Sequence, residues 1–479
     1  MSYQSAIDQL SAMTPELFTQ PGLPRRKFSL EEIGILLNAL GNPHWRFPSV
    51  LIAGTNGKGS TASTLASILG ASGVRTGLYT SPHLTRPNER IRINGAEISD
   101  DDFAAAYFRV HDCAQQLVAD QKLAQLPSFF EHLTAMAFLH FAGSGLEIGV
   151  PTDKSSSVGC DIAVLEVGMG GRLDATNIVD PLLSVITDIS LDHTEWLGPT
   201  IAAITREKAG ILRSNGTLIT LPQHPEANQV IGEVATELGV NAISAVPYMP
   251  QTETPSSDTY HDAYYIQALG AAIEVASPLH GAHQHRNIAL AVAAAVELAL
   301  HHGVPITPSS LTTGIRNTRW PARLERIVTG NTEWVLDVAH NPAGAWALRA
   351  GISSLLRRDE PDAPQATLVF SCLRDKPVLE LAQILFPLFD QVIFAPIHSV
   401  RATPISDLLA AAATTGTAAC VANSVPEALE LAEKQIPCHP ERPERTRFQS
   451  APRVVVISGS VYLVGEARPL LLARAGVPV

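Results

Sequence analysis

The sequence has few cysteines, no excess of basic residues and no long hydrophobic run. Its five cysteines, among 479 residues, form no CxxC pair and no metal-finger spacing, so we expect reduced thiols and a cytoplasmic location. The 34 basic side chains are outnumbered by 46 acidic ones, which argues against a nucleic-acid partner. The most apolar helix-like run, Ile288 to Leu300, is shorter than the roughly 20 residues of a membrane span. We therefore expect neither nucleic-acid nor membrane partners.

Short apolar runs, each followed by turn residues and a helical pattern, are abundant in both halves of the chain. Continuous apolar runs of this length are typical of strands buried on both faces of a parallel sheet. The sequence therefore predicts an α/β protein of two domains, each a mostly parallel sheet flanked by helices. The runs are Val50–Ala53, Ile162–Val167, Leu183–Thr187, Trp334–Val338, Thr367–Phe370, Val392–Ala395 and Val454–Ile457.

The domain boundary is predicted within residues 303–320. A helical pattern over 287–302 ends there at Gly-Val-Pro, and a Ser/Thr-rich stretch follows before the next strand. We place the first domain at residues 1–318 and the second at residues 319–479. Three polar segments without periodicity, about 143–160, 249–262 and 436–452, are predicted to be insertions, and the last is typical of a mobile surface loop.

A glycine-rich segment follows the first strand-like run and precedes a helical pattern. This arrangement directs backbone N–H groups and a helix N-terminus at a phosphate. Lys58 would supply a charge for the outer phosphates, and Ser60 or Thr61 a hydroxyl for Mg²⁺. Gly59 interrupts the strict Walker pattern, so an ordinary glycine-rich turn is the alternative, but the strand–helix context favours a nucleotide site. The segment consists of Gly54, Thr55, Asn56, Gly57, Lys58, Gly59 and Ser60.

Polar residues follow several other predicted strands. Glu166 lies near the end of one, in the zone where parallel sheets bind ligands, although a capping or salt-bridged glutamate is the alternative. His193 follows the next strand, and Ser81 follows an earlier one. The glycine-rich run after Glu166 lacks the third glycine of GxGxxG, which argues against NAD. Taken alone, His193 would be a structural histidine and Lys208 a solvated lysine near a helix end.

The second half has a comparable feature after its first strand-like run. Asn341 and Pro342 match a favoured pairing, in which Asn caps a helix and Pro occupies its first position. This pairing gives both residues a structural role. Asp337 and His340 have no such explanation, so they are the functional candidates in this half.

Together these motifs resemble the Mur ligase superfamily and, within it, the folylpolyglutamate synthase/dihydrofolate synthase family. The cell-wall ligases of the superfamily carry a further domain ahead of the phosphate loop, for which this sequence has no room, so the folate branch is favoured. The matching pieces occur in the family's order across almost the whole chain. They are AGTNGKGS (53–60), TSPHL (80–84), NERIRING (88–95), LEVGMGGRLDATN (165–177), LDHTEWLG (191–198), REKAGI (206–211), HQHRN (283–287), WPARLE (320–325), LDVAHNP (336–342), LRDK (373–376) and SGSVYLVGE (458–466).

The resemblance implies an ATP-dependent ligase with a P-loop-type first domain and a Rossmann-like second domain. Apart from the resemblance, we expect a monomer. It would activate dihydropteroate or reduced folates as acyl phosphates and join them to L-glutamate, using ATP and two Mg²⁺ ions. The two domains would close over the nucleotide. Whether one or both acceptors are used stays open, and we favour both.

The resemblance also implies roles for individual residues. Gly57, Lys58 and Ser60 would hold the ATP phosphates, and Lys208 matches a lysine that is carbamylated in the family. Independently of the resemblance, the chemistry makes His340 a candidate for the base that deprotonates the amine. Ser81, Glu166 and His193 match Mg²⁺ positions; Asn287, Arg323, Asp337 and His340 match nucleotide positions; Phe130, Asp174 and Ala175 match positions of the pterin-bearing substrate.

Three alternatives are weighed against this interpretation. A ligase of the same superfamily with a non-folate acceptor would share every ATP motif and differ only near Phe130 and Asp174. A nucleotide-binding scaffold without catalysis would be expected to lack residues such as Lys58 or Lys208, which are present. A simple P-loop NTPase would not need the second-domain motif LDVAHNP.

Overall fold

The computed structural model describes residues 2–13, 29–143, 159–250, 263–356, 364–434 and 453–477. The segments predicted to be insertions lie outside these residues, apart from a few positions at their ends. The described residues fall into two compact units. The first is drawn from Met1–Gln251, Tyr264–Val275 and Arg286–Thr318, and the second from Thr252–Ala263, Ala276–His285 and Arg319–Val479.

The N-terminal two-thirds of the described chain contains ten strands and ten α-helices. The strands are β1 (Ser49–Ala53), β2 (Thr76–Tyr79), β3 (Ile91–Ile93), β4 (Ala96–Glu97), β5 (Ile162–Glu166), β6 (Leu183–Ile186), β7 (Thr217–Thr220), β8 (Asn241–Ser244), β9 (Tyr264–Ala268) and β10 (Ala271–Val275). The helices are α1 (Tyr3–Ala12), α2 (Leu30–Ala39), α3 (Lys58–Ala71), α4 (Asp100–Ala119), α5 (Phe129–Phe141), α6 (Thr194–Leu197), α7 (Ile201–Ala209), α8 (Pro225–Leu238), α9 (Ala282–His301) and α10 (Pro308–Arg316).

The first unit is built on a sheet with the strand order β4-β3-β2-β5-β1-β6-β7-β8. The strands from β2 to β8 in this order are parallel, and β3 and β4 extend one edge as antiparallel strands. In the register, Ile52 of β1 pairs with Glu166 of β5, and Ala53 pairs with Ile186 of β6. The carboxyl ends of these three strands are therefore level, and the segments that follow them leave the sheet at one edge.

Each face of this sheet is covered by helices, which confirms the predicted α/β class. Every residue of β1 and β5 is buried, as expected for apolar runs between two helical layers. Because strand side chains alternate, Leu51 packs in one hydrophobic cluster, which includes Phe138 of α5, and Ile52 packs in the other, which includes Leu65 of α3.

The second unit has its own sheet, with the strand order β11-β12-β16-β13-β14-β15 and only β11 antiparallel. Its core lies around Phe370, Phe386 and Phe394. The strands are β11 (Glu325–Thr329), β12 (Thr332–Leu336), β13 (Gln365–Phe370), β14 (Gln391–Phe394), β15 (Ala418–Val421) and β16 (Arg453–Ser458). The helices are α11 (Pro342–Leu356), α12 (Val378–Leu385), α13 (Ile405–Thr415), α14 (Val425–Lys434) and α15 (Val461–Ala475).

One helix was not predicted, and one sequence expectation needs correction. The Ser/Thr-rich stretch after residue 303 contains α10: Thr307 caps this helix by accepting from Ser310 N, and Pro308 occupies its first turn. The expectation of reduced thiols holds for Cys113, Cys160 and Cys372 but is wrong for Cys420, which is disulfide-bonded. Pairing depends on which thiols the fold brings within bonding distance, and sequence spacing does not reveal this.

None of the described helices is long and apolar enough to cross a membrane.

The contact between α10 and α3 gives a test of packing. A Cβ on Gly314 would lie 2.3 Å from Ile68 Cα, so we expect Gly314→Ala to destabilise the protein by about 1–3 kcal/mol through overpacking. Gly232, also within a helix, has open space around its Cβ position. Gly232→Ala should therefore stabilise the protein by about 0.5–1 kcal/mol through helix propensity. Urea unfolding of both variants measures the two effects, and equal shifts would contradict the packing argument.

Candidate ATP and acceptor site

Two glycines of the phosphate loop have positive φ angles and close neighbours. Gly54 has φ 152° and Gly57 has φ 88°. A Cβ on Gly54 would lie 1.8 Å from Thr187 Oγ1, and a Cβ on Gly57 would lie 2.0 Å from Asn287 Oδ1. Both the backbone conformation and the space therefore require glycine at these two positions.

The loop is held by the segment that follows β6. The backbone N–H groups of Thr55 and Asn56 donate to the carbonyl oxygen of Asp188, at 2.9 and 3.1 Å. Thr187 Oγ1 donates to the carbonyl oxygen of Asn56 at 2.8 Å. These bonds fix the loop in front of α3, which begins at Lys58 after Gly57 and has no side-chain cap. The first N–H groups of a helix without a cap favour an anion.

Polar side chains around the loop fit a nucleotide phosphate and a cation. The hydroxyls of Ser60 and Thr61, in the first turn of α3, are buried, and within the described part of the chain they have no hydrogen-bond partner. Buried hydroxyls are normally paired, so these groups suit a ligand that supplies partners. Lys58 Nζ lies 3.2 Å from the carbonyl oxygen of Thr55 and 3.9 Å from Glu166 Oε1.

The three predicted Mg²⁺ positions lie on segments that leave the same sheet. Glu166 is buried at the end of β5, and its Oε2 accepts from the backbone N–H of Ser81 at 3.1 Å. His193 has φ 50° and lies at the start of α6, with Nε2 3.9 Å from Asp192 Oδ2. The described residues contain no group of three His, Cys, Asp or Glu side chains suited to a metal. The predicted set has only two residues of these types, and its hydroxyl and carboxylate oxygens are ligands that Mg²⁺ prefers.

Lys208 is not the solvated lysine that its position in the sequence indicates. It is 4% exposed, and its Nζ donates to the carbonyl oxygen of Gly54 at 2.7 Å. Burial, and then the positive charge of Lys58, lower the pKa of Lys208 to about 7. The residue after Ala209 is not the only glycine near this lysine. Gly171 packs against the backbone of Lys208, and a Cβ on Gly171 would be only 2.9 Å from the carbonyl oxygen of Lys208.

The predicted acceptor residues line one cavity of about 130 Å³ in the first unit. Asp174 is buried there, and it accepts from Met169 N at 2.9 Å and from Thr176 Oγ1 at 2.6 Å. Burial raises the pKa of Asp174. Phe130 also packs over Gly168, where a Cβ would lie 2.5 Å from its ring. The lining consists of Ser29, Ser128, Phe130, Glu131, Met169, Gly170, Gly171, Arg172, Leu173, Asp174, Ala175, Trp196, Leu197 and Glu207.

In the second unit, Asp337 has a structural role that the sequence does not reveal. Its two carboxylate oxygens accept from the backbone N–H groups of Leu324, at 3.0 Å, and Ala339, at 2.9 Å. His340 Nδ1 donates to the carbonyl oxygen of Val338 at 2.8 Å, and Arg323 Nη1 donates to that of Ala322 at 3.1 Å.

The predicted cap of α11 is confirmed. The helix begins at Pro342, and Asn341 Oδ1 accepts from the backbone N–H of Gly344 at 2.8 Å.

Two supporting residues were missed by the sequence analysis. The Arg286 guanidinium forms a bidentate pair with Asp188, with three contacts of 2.6–3.0 Å. Gln223 accepts from the backbone N–H of Ile189 at 2.8 Å and donates to the carbonyl oxygen of Thr187 at 3.1 Å. Arg286 could have been suspected from its place in HQHRN, whereas nothing in the local sequence marks Gln223.

A glycine-rich loop between β1 and α3, with a buried glutamate and a buried lysine beside it, defines a nucleotide-binding core of the Mur ligase type. Two family models match the chain: the Mur ligase middle domain over residues 145–295 and the dihydrofolate synthetase C-terminal domain over residues 321–471. The folylpolyglutamate synthase of Lacticaseibacillus casei is 32% identical over 443 residues, covering 91% of this chain and 93% of that protein. The dihydrofolate synthase/folylpolyglutamate synthase of Bacillus subtilis is 31% identical, covering 94% and 95%.

Solved structures agree with these relatives. The Mycobacterium tuberculosis folylpolyglutamate synthase complexed with ADP has a TM-score of 0.81 and 31% identity over 98% of each chain. The Escherichia coli FolC in complex with DHPP and ADP has a TM-score of 0.77 and 28% identity, covering 99% of this chain and 98% of that one. This chain belongs to the folylpolyglutamate synthase/dihydrofolate synthase family and is an ATP-dependent ligase.

Residue 57 is constrained both by its positive φ angle and by the small space around it, and the effects of these two constraints on ATP binding can be separated experimentally. Gly57→Ala should abolish ATP binding, because its Cβ would displace Asn287 and distort the loop. Gly73 has φ 79° but open space around its Cβ position. Gly73→Ala should incur a similar backbone strain of about 1–2 kcal/mol and still bind ATP. Titration calorimetry with ATP measures both variants, and unchanged affinity in Gly57→Ala would show that the loop tolerates the side chain.

Proposed function

We propose that this chain joins L-glutamate to dihydropteroate and to reduced folates, as a cytoplasmic monomer. The observation that carries the proposal is the acceptor cavity, which Phe130, Asp174 and Ala175 line in the same unit as the phosphate loop. The relatives named for both reactions support the choice of acceptors. Residues 1–318 would form the ATP-binding domain with the folate site, and residues 319–479 the glutamate-ligase domain.

The chemistry begins with activation of the acceptor. A carboxylate oxygen of the acceptor attacks the γ-phosphorus of ATP, an acyl phosphate forms, and ADP leaves. This step needs positioning and charge neutralisation more than covalent help from the protein. Lys58 and the loop N–H groups would supply charge and hydrogen bonds to the phosphates. Mg²⁺ ions, held by Ser81, Glu166 and His193, would supply further neutralisation of phosphate charge when bound.

The second step forms the amide bond. The neutral amino group of glutamate attacks the acyl carbon, and inorganic phosphate leaves from the tetrahedral intermediate. His340 would accept the proton of the amine, since its Nδ1 donates to the carbonyl oxygen of Val338 and its Nε2 is then the basic atom. Asn287, Arg323 and Asp337 would contribute to the binding of ATP.

Acceptor-dependent ADP release tests the proposal. MgATP and L-glutamate are incubated with dihydropteroate, with tetrahydrofolate, or with neither, and we expect ADP in the first two reactions only. Glu166→Gln, which keeps the shape of the side chain and removes its charge, should lose this release. Turnover with one acceptor alone would restrict the function to that reaction. No turnover with either acceptor, from protein that binds ATP, would favour a ligase with a different carboxylic acid.

A carbamate on Lys208 is also proposed, and the lowered pKa gives it a pH dependence. The neutral amine attacks CO₂, an N–C bond forms, and the nitrogen loses a proton. Because the pKa of Lys208 is about 7, the neutral amine predominates above pH 7 and is lost below it. Carbon-13 NMR with labelled bicarbonate should therefore show a carbamate signal that grows from pH 6 to pH 8.5. A signal of equal size in Lys208→Arg would assign it to another amine and contradict the proposal.

A further inference from the structure

The glycine-rich segment after β5 lies directly against the C-terminal end of α7. The backbone N–H of Arg172 donates to the carbonyl oxygen of Glu207 at 2.8 Å, and its guanidinium donates twice to Glu207 Oε1, at 3.2 and 2.9 Å. Asn177 Nδ2 lies 3.1 Å from the carbonyl oxygens of both Arg172 and Gly210. A Cβ on Gly210 would lie 2.4 Å from Arg172 Cβ. The two segments are thus joined by backbone and side-chain bonds at a distance that excludes a larger residue.

The same end of α7 carries Lys208. Its buried Nζ donates to the carbonyl oxygen of Gly54, the first residue of the phosphate loop. Since Lys208 follows Glu207 in the chain, a shift of the last turn of α7 would move Nζ relative to the loop. The contacts that fix Glu207 therefore also fix the distance between the lysine and the phosphate loop.

Arg172 and Glu207 also line the acceptor cavity, and Lys208 follows Glu207 directly in the chain. We propose that Arg172 and Glu207 are positioning residues, which hold Lys208 at the phosphate loop in the geometry that phosphoryl transfer needs. The Arg172 and Glu207 side chains are 55% and 28% exposed. Partly exposed ion pairs contribute little to stability, so the pair acts on placement and not on the free energy of unfolding.

The test compares kinetic constants in Arg172→Gln with those of the wild-type enzyme, so the catalytic readout rests on the proposed function. We expect kcat to fall at least about tenfold, because small displacements of a group near the reacting atoms are costly to the rate. The KM values for ATP and for the acceptor should stay within about twofold, and Tm should be unchanged, since the cavity and the fold remain. Arg172→Lys keeps the charge and one donor group, so it should restore part of the lost kcat.

The kcat of a double variant tests whether Arg172 and Glu207 act together. Glu207→Gln should lower kcat as Arg172→Gln does, and the double variant should be no slower than either single one, because each substitution removes the same ion pair.

A neighbouring ion pair serves as the matched control. Arg206 precedes Glu207 in α7, and its Nη2 lies 3.0 Å from Glu233 Oε2 in α8, with side chains 58% and 48% exposed. This pair is exposed to a similar degree, and it joins α7 to α8 instead of to the glycine-rich segment after β5. Arg206→Gln should therefore retain the wild-type kcat.

Amide hydrogen exchange provides a readout that does not depend on turnover. Peptides covering residues 54–60 and 206–211 should exchange faster in Arg172→Gln than in Arg206→Gln, because the guanidinium bonds to Glu207 no longer help to restrain α7, although the backbone bond between residues 172 and 207 remains. Unchanged exchange would overturn the proposal. So would a higher acceptor KM at unchanged kcat, which indicates direct acceptor binding, or an equal loss in Arg206→Gln. If the wild-type enzyme lacks acceptor-dependent turnover, the proposed function fails, while hydrogen exchange still decides whether this pair restrains the loop.

Discussion

The position of β1 between β5 and β6 is the constraint on which the rest of the first unit depends. Parallel pairing in this register brings the ends of the three strands to one level, so the phosphate loop, Glu166 and the Thr187–Ser190 segment share an edge. Burial of both faces of β1 keeps this arrangement in place, since a slip of one residue would exchange the side chains of the two hydrophobic clusters. The pairing of the three strands thus determines where the phosphate loop and Glu166 lie.

The phosphate loop owes its shape to neighbouring segments more than to its own residues. Asp188 accepts the loop N–H groups through its carbonyl oxygen, and its carboxylate is paired with Arg286 of α9. Gln223, from the segment after β7, bonds to the backbone on either side of Asp188. Each of these contacts joins residues that are far apart in sequence, so the loop conformation is a property of the folded unit.

Much of this organisation could be predicted from sequence because it depends on local patterns. Apolar runs indicate buried strands, as at Val50–Ala53, and the Asn341–Pro342 pair indicates the start of a helix. The roles given to individual site residues remain predictions, although the structure brings Phe130, Asp174 and Ala175 to one cavity. The burial of Lys208 and the backbone contacts of Asp337 could not be predicted, because each depends on long-range packing that no spacing in the chain encodes.

The glycines of the phosphate loop limit the substitutions that this part of the sequence can accept. The place where a Cβ on Gly54 would stand is taken by the hydroxyl of Thr187, and the corresponding place at Gly57 is taken by the amide of Asn287. A side chain at residue 54 would therefore occupy the same space as the side chain of residue 187, and a side chain at residue 57 the same space as that of residue 287. Because the positive φ angles also favour glycine at residues 54 and 57, shortening Thr187 or Asn287 alone would not make another residue tolerable there, and both glycines are expected to persist across descendants of this gene.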